Sequence, residues 1–83
     1  MKVSVKKKDN AQPVAITSEF IKLESALKFA NAVSTGGEAK VVILEENVKV
    51  NGDICTMRGK KLYPGDRFTF MGKEYVICIH ESL

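Results

Sequence analysis

Ser34-Thr35-Gly36-Gly37-Glu38-Ala39-Lys40, followed closely by Val48-Lys49-Val50-Asn51-Gly52, is the stretch on which the fold turns. Thr35 stands where a helix N-cap belongs: its hydroxyl oxygen can accept from an orphan amide of the first turn. Glu38, three residues on, can return the bond. Ala39, Val42 and Ile43 then supply a short apolar stripe, so a brief second helix is predicted from about Gly36 to about Glu45. After Asn47 the period drops to two, with Val48 and Val50 alternating around Lys49. Asn51-Gly52 is the dipeptide best suited to a type I′ turn, because both central residues of that turn need positive φ. Helix, strand and tight hairpin are therefore expected in quick succession.

Working back from Ser34, Leu23, Ala26, Leu27 and Ala30 fall at the i, i+3, i+4, i+7 spacing of an amphipathic helix, read here as Leu23 to Val33. Glu24 precedes Lys28 by one turn, the favourable order for an exposed ion pair. Working forward, Leu62-Tyr63-Pro64-Gly65-Asp66 is a turn, with proline presetting φ and glycine free to take a positive one. Arg67-Phe68-Thr69-Phe70 alternates as a half-buried strand, and Met71-Gly72-Lys73 turns the chain again. Tyr75 to Ile79 is apolar on both faces, as in a strand covered from each side. Phe68, Phe70 and Tyr75, at strand spacing, belong to the core. The first residues admit two readings. Val3 and Val5 alternate with polar neighbours and Val14-Ala15-Ile16 has the makings of a partner strand, but a frayed basic tail fits equally well. The class is α+β, with residues 1–15 as a basic tail or edge strand and residues 16–80 as the domain.

With 83 residues the chain has room for one small core. Its 45% hydrophobic and 28% charged residues are too apolar for a disordered chain. The sequence contains neither a run of apolar residues long enough to span a bilayer nor the apolar centre of a secretory signal, so no membrane partner is expected and the cytoplasm is the expected compartment. Cys55 and Cys78 have neither a C-x-x-C spacing nor a histidine pair beside them. Buried free thiols are expected rather than a metal site, a redox dithiol or a disulfide. The net charge of +3 is unevenly spread. Lys2, Lys6, Lys7 and Lys8 face only Asp9 at the start, and Arg58, Lys60, Lys61 and Arg67 face only Asp66 in one short segment, whereas residues 17–57 are net acidic. Such local concentration is how an anion-binding patch looks in a sequence, and how a solvated face looks too.

The order of these elements resembles the S4 RNA-binding domain family. Lys22-Leu23-Glu24 with Leu27 is similar to its basic-Leu-acidic-x-x-Leu opening, Ser34 to Lys40 to its second-helix signature, Val48 to Gly52 to its V-x-V-N-G hairpin, and Gly65-Asp66 to its closing G-D. Within the family, Ser34-Thr35-Gly36-Gly37-Glu38-Ala39-Lys40 and Arg58-Gly59-Lys60-Lys61-Leu62 resemble the small single-domain YaaA/YbcJ type, with S-G-G-x-A-K and R-R-G-R-K-L. The resemblance runs from about Ile16 to about Ile79. It implies an S4-type (alpha-L motif) fold, two short helices packed on a small, mainly antiparallel sheet. Two departures matter. Glycine takes the first arginine position of the helix signature and leaves Lys40 as its base, and Met57 takes the first arginine position of the basic loop. Fewer guanidinium forks mean fewer bidentate phosphate contacts.

What the resemblance implies for function is a patch binding structured RNA, with ribosomal RNA or a ribosome-assembly intermediate as the expected partner and a monomer as the expected state. The residues assigned to it are Lys22, Gly36, Gly37, Lys40, Arg58, Lys60 and Lys61. Gly36 and Gly37 let a phosphate approach the helix start, or else simply make a tight interhelix turn. Glu38 opposes an anion there and is read as a capping partner facing aside. Tyr63, beside the basic loop, is the aromatic to test for base stacking, with packing as the plainer reading. A catalytic role finds little support: His80 is the sole histidine, and no nucleophile, metal-ligand cluster or phosphate-binding glycine loop accompanies it. No enzyme and no cofactor are expected. The alternatives are a protein-interaction adaptor or an accessory factor linked to tRNA or DNA.

Overall fold

The computed structural model describes residues 11–80. The chain runs β1 (Gln12–Ile16), β2 (Ile21–Lys22), α1 (Leu23–Phe29), α2 (Gly36–Leu44), β3 (Val48–Val50), β4 (Asp53–Ile54), β5 (Lys61–Leu62), β6 (Arg67–Phe70) and β7 (Lys73–Ile79). Five strands form one sheet in the order β1-β7-β6-β3-β4, antiparallel except for the parallel pair β1 and β7. A separate two-stranded ribbon joins β2 to β5. This is the α+β class expected, with two helices and a mostly antiparallel sheet.

The core is built where the helices meet the sheet. Leu23, Ala26 and Leu27 of α1 and Ala39 and Ile43 of α2 are buried with Val48, Phe68, Tyr75 and Ile77 from the strands. Phe68 and Tyr75 lie directly opposite each other on β6 and β7, and their rings stack at 4.7 Å. Cross-strand aromatic pairs of this kind fix register as well as burying area. β1 adds Val14 and Ile16 to the same core, so the strand reading of Val14-Ala15-Ile16 describes these residues. Val3 and Val5 lie outside the described residues.

The turns follow the chemistry of their residues. Asn51 and Gly52 have φ of 51° and 92°, the pair of positive values a type I′ hairpin requires. Gly65 has φ of 100°, and Asp66 N–H donates to the Tyr63 carbonyl at 2.9 Å, which closes a type II turn around Pro64.

Four expectations need correction. Helix α1 stops at Phe29 instead of reaching Val33. Asn31 adopts φ of 59°, its N–H donates to the Lys28 carbonyl, and Ala32 N–H donates to the Leu27 carbonyl, a Schellman exit that ends the helix although Val33 remains in the core. Strand β7 is covered on one face only. Tyr75 and Ile77, on the face that shares a core with both helices, are buried, whereas Val76 and Cys78 on the other face are only half-buried. The cysteines are free, but half-buried. Glu24 and Lys28 form no salt bridge with each other; holding two long side chains at the surface gains little.

Candidate nucleic-acid interface

The basic loop is fastened to the start of α1 by its backbone. The first amides of any helix lack intrahelical partners. Here the Leu23 N–H donates to the Lys60 carbonyl at 2.8 Å and the Glu24 N–H to the Arg58 carbonyl at 3.1 Å. Lys22, the N-cap residue, offers no side-chain cap, so the loop does the capping. Alongside, β2 pairs with β5 so that Lys22 lies opposite Lys61 and Ile21 opposite the buried Leu62. Four of the residues assigned from sequence, Lys22, Arg58, Lys60 and Lys61, are thereby gathered at one place. Their side chains are exposed, and none forms a salt bridge with a described residue. The loop is itself shaped by a turn in which Lys60 N–H donates to the Met57 carbonyl at 3.1 Å, and by Cys55 N–H donating to the Val48 carbonyl at 3.0 Å. A shallow cavity of about 280 Å³, lined by Asp53, Ile54, Met57 and Lys60 among others, separates the loop from the β3–β4 hairpin.

The other three assigned residues, Gly36, Gly37 and Lys40, sit on α2, which packs on α1 through buried Ala39 and Ile43. Among the described residues no hydrogen bond or salt bridge joins them to the loop, and α2 packs on α1 rather than on the loop itself. The start of α2 is capped locally: Glu38 N–H donates to Thr35 Oγ1 at 3.0 Å, and Ser34 N–H donates to Glu38 Oε1 at 2.8 Å. The returning bond therefore goes to Ser34, one residue before the N-cap. It draws the Glu38 carboxylate back toward the interhelix loop. Neither Gly36 nor Gly37 has positive φ. A Cβ at Gly36 would meet nothing within 4 Å, and one at Gly37 would meet only Thr35 Oγ1 at 3.9 Å. The turn itself does not demand glycine at either position, although glycine costs about 1 kcal/mol of helix propensity relative to alanine.

Two features escaped the sequence reading. Gly37, Lys40, Val41 and Leu44 fall at i, i+3, i+4 and i+7 and are all exposed, Val41 by 50% and Leu44 by 53%. The outward face of α2 is thus basic and apolar together. The apolar stripe drew attention to the buried side, and nothing in the pattern distinguished Val41 from Val42. The second is Phe20. Its ring lies 5.8 Å from that of Tyr63 and carries the Lys61 ammonium 4.8 Å above its centroid. This contact follows from the β2–β5 pairing, a two-residue ribbon with no periodicity to announce it. Lys28 lies exposed in the last turn of α1 and Lys49 on the solvent side of β3. Lys6, Lys7 and Lys8 are outside the described residues. His80 is exposed, and its N–H donates to the Ile16 carbonyl at 2.7 Å. Among the described residues no three His, Cys, Asp or Glu side chains come together, and no helix is long and apolar enough to cross a membrane.

A chain with this order of elements, a hairpin after the second helix and a basic loop folded over the first, is an S4-type protein, and residues 14–78 match the model of the S4 domain family. The chain belongs to that family. It is 43% identical over 56 residues to the probable ribosome maturation protein RlbA of Bacillus subtilis (strain 168), a match covering 68% of this chain and 79% of that protein. Its fold is similar to the solution structure of YbcJ from E. coli, described as revealing an αL motif involved in RNA binding. The TM-score is 0.64 at 24% identity, with 90% of this chain and 96% of that one covered.

Proposed function

We propose that the chain is a non-catalytic RNA-binding protein. It grips structured RNA, ribosomal RNA or a ribosome-assembly intermediate, through Lys22, Arg58, Lys60 and Lys61 on one side and Lys40 with the glycine start of α2 on the other. The observation that carries this reading is the docking of the loop. By spending the Arg58 and Lys60 carbonyls on the first amides of α1, the fold concentrates exposed cations, none in a salt bridge with a described residue, beside the β2–β5 ribbon. Membership of the S4 family supports it, as does the ribosome maturation role named for the Bacillus relative. Phosphate contacts position an RNA without reading its bases, so recognition rests on the shape of the RNA and on 2′-hydroxyls in its shallow groove. Gly36 and Gly37, unneeded by the turn, leave room for a phosphate at the start of α2. The protein acts as a monomer, in the cytoplasm where ribosomes are assembled.

The test is a titration of a structured ribosomal RNA fragment at several salt concentrations, with the wild type and the Lys40→Glu, Lys60→Glu variant. Each lost phosphate contact should lower the slope of log K against log salt by about 0.7 to 0.9. Weaker binding with a flatter slope is expected. Unchanged affinity and slope would remove the patch assignment. Crosslinking in cells, followed by sequencing of the attached RNA, identifies the target; loss of one set of ribosomal RNA helices in the variant is the expected outcome.

A further inference from the structure

Two tyrosines of this chain have opposite surroundings. Tyr75 is 4% exposed and stacks on Phe68 inside the sheet, where packing accounts for it. Tyr63 is 44% exposed at the edge of the basic loop. Its backbone is nevertheless held on both sides by hydrogen bonds. Tyr63 N–H donates to Asp66 Oδ2 at 2.8 Å, and its carbonyl accepts from Asp66 N–H. Asp66 Oδ1 accepts from Asn51 Nδ2 at 3.2 Å. Gly65 N–H and the Asp66 carbonyl bond to the Ile77 carbonyl and N–H, both at 2.8 Å, which ties the turn to β7. The Phe20 ring packs beside Tyr63 in a tilted arrangement, 5.8 Å between centroids and 48° between planes, and Lys61 Nζ, resting over Phe20, stations a cation next to the pair. An exposed aromatic on a rigid turn, backed by a second ring and flanked by an ammonium, is the arrangement that stacks a nucleobase while a neighbouring charge meets its phosphate.

We propose that Tyr63, backed by Phe20 and flanked by Lys61, stacks one unpaired base of the bound RNA. The preferred ligand is then a duplex interrupted by an unpaired nucleotide, not a continuous helix. A paired base has both faces covered by its neighbours; only a base outside the stack can offer one to a protein ring. The inference rests on the RNA-binding reading above and adds to it the feature of the RNA that is selected.

The experiment uses two RNA duplexes, each annealed from separate strands, one fully paired, the other identical except for a single bulged 2-aminopurine. Wild type should bind the bulged duplex about tenfold more tightly and quench the 2-aminopurine fluorescence, in line with the cost of removing an aromatic stacking partner. Tyr63→Phe should keep the preference and the quenching. Tyr63→Leu, which retains bulk without a π face, should lose both while binding the fully paired duplex as before, with its fold checked by thermal unfolding. Equal wild-type affinity for the two duplexes overturns the proposal whatever the variants do, as does a Tyr63→Leu variant that still prefers the bulge. The Lys40→Glu, Lys60→Glu variant separates the two readings. If its affinity for the fully paired duplex matches wild type, the phosphate-binding patch fails, independently of the stacking result.

Discussion

The two helices leave in the same way and enter differently. Both end in Schellman geometry with a residue other than glycine in the left-handed position, Asn31 after α1 and Glu46 after α2. At their starts they diverge. Helix α2 is capped by its own neighbours, Thr35 and Glu38, within a few residues of sequence. Helix α1 has no side-chain cap and is completed by carbonyls from Arg58 and Lys60, distant in sequence. The first start is local and autonomous. The second takes its caps from the basic loop, so it links the start of a helix to the proposed binding surface.

This contrast can be broken at the α1 entrance first. Leu23 is fully buried at the first position of α1. Leu23→Ala should cost about 2 to 5 kcal/mol, the range for large-to-small changes in a core, read from urea denaturation. Because the loop depends on that helix start, RNA affinity should fall with it. Thr35→Ala attacks the other entrance and should cost about 1 kcal/mol, the usual loss of an N-cap hydroxyl. Its signature is local: amide exchange should rise in the first turn of α2 while the Leu23 and Glu24 amides stay protected. Glu46→Gly tests the shared exit. Glu46 has φ of 64°, a conformation that penalises a side chain, so glycine there should raise stability by about 0.5 to 1 kcal/mol, seen as a higher Tm. The smallest effect on the fold should come from Arg58→Gln with Lys60→Gln. These changes remove two charges but keep both backbone carbonyls. Stability should stay within about 0.5 kcal/mol while RNA binding weakens, and a large drop in stability would mean the side chains, not the backbone, hold the loop.

The same contrast explains what could be read in advance. Helix α2, the Asn51-Gly52 hairpin and the Pro64-Gly65 turn were legible because their determinants lie a few residues apart: a cap, a dipeptide, a preset φ. The exit of α1 at Asn31 was not, because Ala30, Ala32 and Val33 continue an apolar pattern without regard to where the helical hydrogen bonds stop. The β2–β5 ribbon was invisible for a different reason. Two residues cannot display a period, and the pairing of Lys22 with Lys61 is decided by tertiary contacts around Leu62. Of the candidate site, the residue types came from local charge and family resemblance. The backbone bonds that bring Lys22 beside Lys61 came only from the fold, as did Phe20 beneath Lys61.

The parallel pairing of β1 with β7 has a consequence for how the molecule comes into being. Gln12 lies opposite Tyr75 and Ile16 opposite Ile79, so, among the described residues, the first strand pairs only with the last. As the chain leaves the ribosome, β1 emerges early and must wait, with Val14 and Ile16 uncovered, until β7 has followed it out. Contacts so far apart in sequence close late, after the entropy of the intervening loop has been overcome. A domain of this design completes the described sheet only once β7 has been made, and a chain halted before Tyr75 would leave β1 without that partner.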